Sequence, residues 1–439
     1  MQDARAISPY FPMRVNRTVE NLIGAFATIS YCVFSKASNV SSLLWLAIWS
    51  CPAAAFIAHL YSLQIGSMEV RPSGILNVML FTGGLIVVGA NVAPSWRQAK
   101  NNFKPFVYLV GFATVRLLDA PDKLIAAREL LLFAIPLVIA IAAEVALDRG
   151  LNPRWIESQL MICPLFTVVV LLMQALYGTI GYDEGGLATI LGKGPIALLC
   201  LPIFSLALSR WRYDISKAWS RYAAALSLGL ILVTVERMAS VVAVFLLLPL
   251  RFISFKRRPV ISLFVGAAAA SLVALLLLQV PTVKYRFFED KEAPVFAREE
   301  SVINTTGRLE LWYVTLEDAL EKPFLGHGTG SSEVLIPIAV PGLDHPHEEY
   351  LRVYHDLGVI GLGLFLWAWF GRLAKHLRLW HSLDHSPQFA QPHMAAGLAT
   401  AALMLSYFTD NALVATFVQI PAFLLFAIAD KSSKVASSR

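Results

Sequence analysis

The chain has 439 residues, of which 57% are hydrophobic and only 15% charged, and its mean hydropathy is +0.62. A soluble protein of this length needs far more polar surface, so the composition excludes a dispersed globular domain and points to an all-α polytopic membrane protein. The formal net charge of +6 is no argument for a nucleic-acid partner, because Lys and Arg in membrane proteins chiefly mark cytoplasmic loops.

The opening MQDARAISPYFPMRVNR carries charge without a following short apolar stretch and small-residue cleavage site, so no removable signal peptide is expected. Apolar candidates follow near 19–35, 41–64, 73–93 and 105–118, and the basic Arg97, Lys100 and Lys104 favour keeping the last as a span. Leu130 to Leu147 (broken only by Glu144), Leu160 to Ile180 and Val260 to Val280 are long enough to cross a hydrocarbon core of roughly 30 Å. In lipid the backbone must satisfy its hydrogen bonds within the segment, so these runs are helices. Cys32, Cys51, Cys163 and Cys200 lie in or beside apolar segments and read as small apolar residues, with no disulfide framework or metal site.

Basic clusters stand at Arg210, Arg212, Lys217 and Arg221, at Arg251, Lys256, Arg257 and Arg258, and at Arg372, Lys375, His376 and Arg378. The positive-inside rule makes all three cytoplasmic. Residues 222–250 then lie between two cytoplasmic loops. As one helix of about 43 Å they would invert the orientation, so two short helices are expected, with a tip near Thr234, Glu236 and Arg237. Arg237 is then either a functional group at the outer surface or a snorkelling cation paired with Glu236. Residues 281–356 hold seven Lys/Arg against fourteen Asp/Glu, which places this longest polar interval on the outward face. Segments near 393–409 and 412–429 form an outward hairpin around Asp410 and Asn411, and the tail KSSKVASSR returns to the cytoplasm. With both termini inside the span count is even, and about twelve fits. The expected organisation is a transmembrane bundle over 1–280 (with the broken pair at 222–250), a helical loop domain over 281–356, and C-terminal helices over 357–439.

Three pieces of the loop carry chemistry. Leu309, Trp312, Leu316 and Leu320 recur at helical spacing ahead of Pro323, with Thr306 as N-cap and Arg308 in the first turn. A cation there opposes the helix dipole unless it and the free amides face a bound anion; the alternative is pairing with Glu310 or another acid. Pro323-Phe324-Leu325-Gly326-His327-Gly328-Thr329-Gly330 lacks P-loop spacing and is either an ordinary glycine turn or a shaped pocket wall. Asp344-His345-Pro346-His347-Glu348-Glu349-Tyr350-Leu351 reads as a helix with Pro346 at its first position, running to Leu357 and ending at Gly358. His347 at that N-terminus is a candidate general base, oriented by Glu348 or another carboxylate. A surface histidine pair is the bland alternative, and a metal held by His345, His347, His327 and an acid is a third, without supporting spacing.

In this order the pieces resemble the O-antigen ligase family, within the group that includes O-antigen polymerases and protein O-oligosaccharyltransferases. The resemblance rests on Gly307-Arg308 with Trp312, Pro323-Phe324-Leu325-Gly326-His327-Gly328, His347-Glu348-Glu349-Tyr350-Leu351, and Gly358-Val359-Ile360-Gly361, together with Arg237 in the broken helix pair ahead of the loop. Glu236 departs from the usual Ser, and Glu348 from the commoner Asn. The similarity covers about residues 222–375. It implies a metal-independent inverting glycosyltransferase of the bacterial inner membrane, working at the periplasmic face without cofactor. The donor would be a glycan on undecaprenyl pyrophosphate and the acceptor a hydroxyl of lipid A–core. Arg237 and Arg308 would clamp the pyrophosphate and His347 would deprotonate the acceptor, with His345, Glu348, Tyr350, Gly326 and His327 lining the substrates. Polymerisation of O-units and transfer to protein share that donor, whereas a transporter or scaffold is the alternative of another class.

Overall fold

The computed structural model describes residues 40–57, 63–65, 68–70, 72–176, 181–183, 186–188, 193–234, 236–251, 308–340, 343 and 345–437. The candidate spans 19–35 and Val260–Val280, together with Cys32, Thr306, Gly307 and Asp344, lie outside these residues. Among the described residues the regular structure is helical apart from two antiparallel ribbons of three-residue strands, β1 (Leu63–Ile65) with β2 (Met68–Val70) and β3 (Gly181–Asp183) with β4 (Gly186–Ala188). In order, the helices are α1 (Val40–Ile57), α2 (Pro72–Gly89), α3 (Val92–Asn102), α4 (Lys104–Arg116), α5 (Lys123–Asp148), α6 (Pro153–Leu176) and α7 (Lys193–Arg212). They continue with α8 (Lys217–Val233), α9 (Arg237–Arg251), α10 (Arg308–Ala319), α11 (Ser332–Ala339), α12 (Glu349–Ser382), α13 (Pro387–Ser406) and α14 (Thr416–Ser437).

Four described helices, lying in α5, α6, α7 and α12, are long and apolar enough to cross a membrane, and a fifth crossing is available if α2 and α3, bent by 107°, count as one broken span. The chain is therefore a multi-pass protein. Either 19–35 or 105–118 can be the non-spanning candidate, and the latter forms α4, whose 13 residues reach about 20 Å, short of a core of roughly 30 Å. Pro105 sits in its first turn and Arg116 turns back to Asp119 in the 3₁₀ turn that follows, so the apolar run is divided.

Helices α13 and α14 fill the centre, α13 against α7 and α12, α14 against α5 and α13. Their buried faces are built on small residues, among them Ala395, Ala399, Ala402, Ala422 and Ala427, which let helix backbones approach closely where lipid offers no hydrophobic drive. Trp369, Phe423, Phe426 and Phe106 close the remaining space through edge-to-face contacts.

Two of the basic clusters are partly structural. Arg210 is buried and paired with Glu157. Arg372 lies buried inside α12, 2.6 Å from Asp430 and over the Phe103 ring at 4.3 Å, and His376 is buried against His393. Helix α12 runs on to Ser382, so these groups sit within a helix and need neutralising partners, which α14 and α13 supply.

At the opposite end of α12, α8 and α9 form the broken pair. The Thr234 hydroxyl donates to Ile231 O at 2.6 Å and closes α8, while the Glu236 carbonyl accepts Ser240 N at 2.9 Å and opens α9. Arg237 is thus the first residue of α9.

Candidate functional site

Helix α10 opens on Arg308, and one turn later Trp312 Nε1 donates to Pro346 O at 3.0 Å. That bond brings the 345–348 segment over the start of α10. The segment is not helical as expected. His347 takes φ +55, and α12 begins at Glu349 with Glu348 as its N-cap. The Glu348 carboxylate accepts the amides of Tyr350 (3.3 Å) and Leu351. Capping two orphan amides outcompetes a helical start at Pro346, and it commits Glu348 to the backbone rather than to orienting His347. The helix also passes Gly358, which takes φ +65 and kinks it.

His347 is half-buried. Burial, and then the positive Arg308 beside it, lower its pKa to about 4, so at neutral pH it is an unprotonated imidazole. Burial raises Glu348 to about 7, against the two amides it accepts.

Asp410 is the residue that sequence reasoning left as a loop tip. It lies between α13 and α14, buried, with Oδ1 3.8 Å from Arg308 Nη2. Burial, and then the Glu236 carboxylate, raise its pKa to about 7 against the opposing pull of Arg308 and Arg237. Four segments thereby converge: the α8–α9 break with Glu236 and Arg237, the start of α10 with Arg308, His347, and Asp410. The turn is held in place by Glu349, whose amide donates to Tyr407 O at 2.8 Å and whose Oε1 accepts Leu413 N at 2.8 Å. Tyr350 serves the same seam: its hydroxyl donates to Met404 O at 2.7 Å and its ring packs on Phe408 and Phe365.

The remaining expected residues lie elsewhere. His345 Nδ1 is 3.1 Å from Glu333 Oε1, within a network of buried Glu129, Glu333, Glu349 and Arg352 that the exposed Arg128 completes. Burial, then the charges of Arg128 and His347, lower His345 to about 3. Gly326 and Gly358 are points of backbone contact between the glycine turn and α12, where a Cβ on either would overlap the other strand's carbonyl. His327 N and Gly328 N donate to His355 O (3.0 Å) and Asp356 O (2.9 Å). The amides that could have cradled a phosphate are therefore used, and His327 faces Asp318 and His355 instead.

The fold is that of a multi-pass helical membrane protein, with two arginines and an uncharged histidine gathered where loop and helix ends meet. Residues 222–366 match the family model described as O-antigen ligase, which supports membership of that family. The match spans Arg237, Arg308 and His347, ends before Asp410, and points to a glycosyltransferase-like enzyme class. No curated protein matches the chain at a significant level.

Proposed function

We propose that the protein transfers O-antigen glycan from undecaprenyl pyrophosphate to a sugar hydroxyl of lipid A–core. The observation that carries this reading is the convergence of Arg308 and His347, with Arg237 and Arg308 both acting on Asp410. Two permanently charged guanidiniums suit the two phosphates of a leaving diphosphate, each offering planar, paired donors. His347 is uncharged and free to accept a proton. In the transfer it takes the proton of the acceptor hydroxyl, and the oxygen attacks the anomeric carbon from the face opposite the diphosphate. The anomeric C–O bond to phosphate breaks, its electron pair leaves on the diphosphate, and the new glycosidic bond has inverted configuration. Arg237 and Arg308 stabilise the charge that develops on the leaving oxygen. In its ionised form Asp410, beside Arg308, offsets part of the arginines' mutual repulsion before the donor arrives. Since two cations already face the phosphates, the step needs no metal.

The apolar helices flanking the site would hold the polyprenyl chain. About twelve spans, with 281–356 facing the periplasm, put the site at the outer leaflet of the inner membrane. Purified protein, lipid-linked glycan and lipid A–core together should yield lipopolysaccharide bearing the glycan. Glycan extension on the carrier, with no product on lipid A–core, would instead identify a polymerase and overturn the acceptor assignment.

A further inference from the structure

Away from that centre, α10, the glycine turn and α12 each contribute one side chain to a compact cluster. The ligand atoms of Asp318, His327 and His355 all lie within 4.8 Å of one another. His355 Nε2 is 2.7 Å, and His327 Nε2 3.4 Å, from Asp318 Oδ2. The two imidazoles stack with centroids 4.9 Å apart and planes 12° from parallel.

His355 carries the outer support that metal-binding histidines use. Its Nδ1 faces Asp356 Oδ1 at 2.9 Å. Asp356 is itself fixed by Gly330 N (3.0 Å), Ser331 Oγ (3.0 Å) and Ser332 N (2.8 Å). With a carboxylate holding Nδ1–H, a metal that displaces the Nε2 proton would meet that nitrogen's lone pair in the cluster. The His355 side chain is 1% exposed, but His327 is 14% and Asp318 30% exposed, which leaves an entry path and a position for water.

We propose that Asp318, His327 and His355 form a binding site for a divalent zinc-class cation that staples the end of α10 and the glycine turn to α12. Two imidazoles and one carboxylate suit a borderline ion of four-coordinate habit, whereas Mg²⁺ and Ca²⁺ require more oxygen ligands. Without the cation the cluster closes on hydrogen bonds, including His327 Nε2 to Asp318 O at 2.8 Å. Metal entry replaces that bond and the one between His355 and Asp318, each imidazole offering its Nε2 lone pair after the proton there has moved to Nδ1 or to water. The site begins about 9 Å along α12 from its first residue, and the proposed transfer step makes no use of it.

The test uses the full chain, purified in detergent with any affinity tag removed, stripped by chelator and then equilibrated with Zn²⁺ alone. Wild type should retain stoichiometric zinc by elemental analysis and show a raised thermal midpoint. Co²⁺ in its place should give the visible absorption of a tetrahedral site. His327→Ala and Asp318→Asn should lose the metal, Asp356→Asn should bind roughly 10–100-fold more weakly, and His345→Ala should bind as wild type. Wild type without stoichiometric zinc or cobalt absorption would overturn the proposal. So would equal zinc in the Asp318→Asn/His327→Ala double variant, provided it elutes as a folded protein. Because metal content is the readout, failure here is separable from failure of the transfer reaction.

Discussion

His347 holds a left-handed backbone conformation uncommon outside glycine, though His adopts it more readily than most residues, fixed from one side by Trp312 and from the other by the Glu348 cap. The setting serves a base whose charge is suppressed. Catalysis needs the unprotonated imidazole, so activity is lost as pH falls through its pKa. In the free enzyme that pKa is about 4, held down by burial and Arg308. The acid limb of kcat/KM should therefore lie well below the ordinary imidazole range near 6.5, and a limb centred at 6.5 would contradict the site's electrostatics. His345 offers a stability counterpart. Its folded pKa of about 3 lies below the unfolded value near 6.5, so the unfolded chain binds the extra proton as pH drops. Its contribution is intact above about 6.5 and lost progressively below it; His345→Gln should flatten the fall in thermal midpoint between pH 7 and 5. Arg237, Arg308 and His347 could be singled out in the sequence because each is ionisable and adjoins apolar runs at an outward end. Asp410 could not, because its neighbours Glu236 and Arg308 are brought to it only by the fold.

At the scale of elements, the kink in α12 and the glycine turn are one device. Gly326 (φ +72) and Gly358 (φ +65) each sit where the backbones touch, and Val359 N, freed by the kink, donates to Pro323 O at 2.8 Å. Gly358→Ala meets both strain and overlap, so it should cost more than about 1 kcal/mol, read as a lower thermal midpoint. A wild-type midpoint would show that the seam is plastic. Arg352 joins α12 to α5 through Glu129 and to its own first turn through Glu349 at 3.2 Å. Removing it strands buried carboxylates, so Arg352→Ala should cost about 3–5 kcal/mol, and a change under about 1 kcal/mol would mean that the acids are neutral. The Pro-Gly spacing signalled a tight turn in sequence but not its partner. Asp356 and Gly358, about thirty residues on, read as ordinary parts of a helix end. The start of α12 was misplaced for a similar reason: Pro346 favours a first helical position, but the Glu348 carboxylate reaches two amides that Pro346 cannot serve.

Over the whole molecule, the 34-residue α12, kinked at Gly358, separates two polar regions. One gathers Arg308, His347 and Asp410, and the other holds Arg372, Lys375 and Asp430. In a cysteine-free background, Ile338→Cys should react with an impermeant thiol reagent from the periplasm. His385→Cys, in the exposed turn after α12, should react only once the inner membrane is opened. Labelling of both from one side would overturn the orientation. Composition was enough to read a helical multi-pass protein. Charge bias did not separate buried structural arginines such as Arg210 and Arg372 from loop markers, since pairing with Glu157 and Asp430 depends on helix packing.

The central claim is that Arg237, Arg308 and His347 act as one centre. Single-turnover transfer by wild type, each single alanine variant and the Arg237→Ala/Arg308→Ala double variant tests it most directly. Groups acting on one transition state are strongly non-additive. Each single variant should lose at least about 100-fold in rate while still inserting, and the double variant should be little worse than the weaker single. Full activity in His347→Ala, or losses in the arginine variants that simply multiply, would contradict the account.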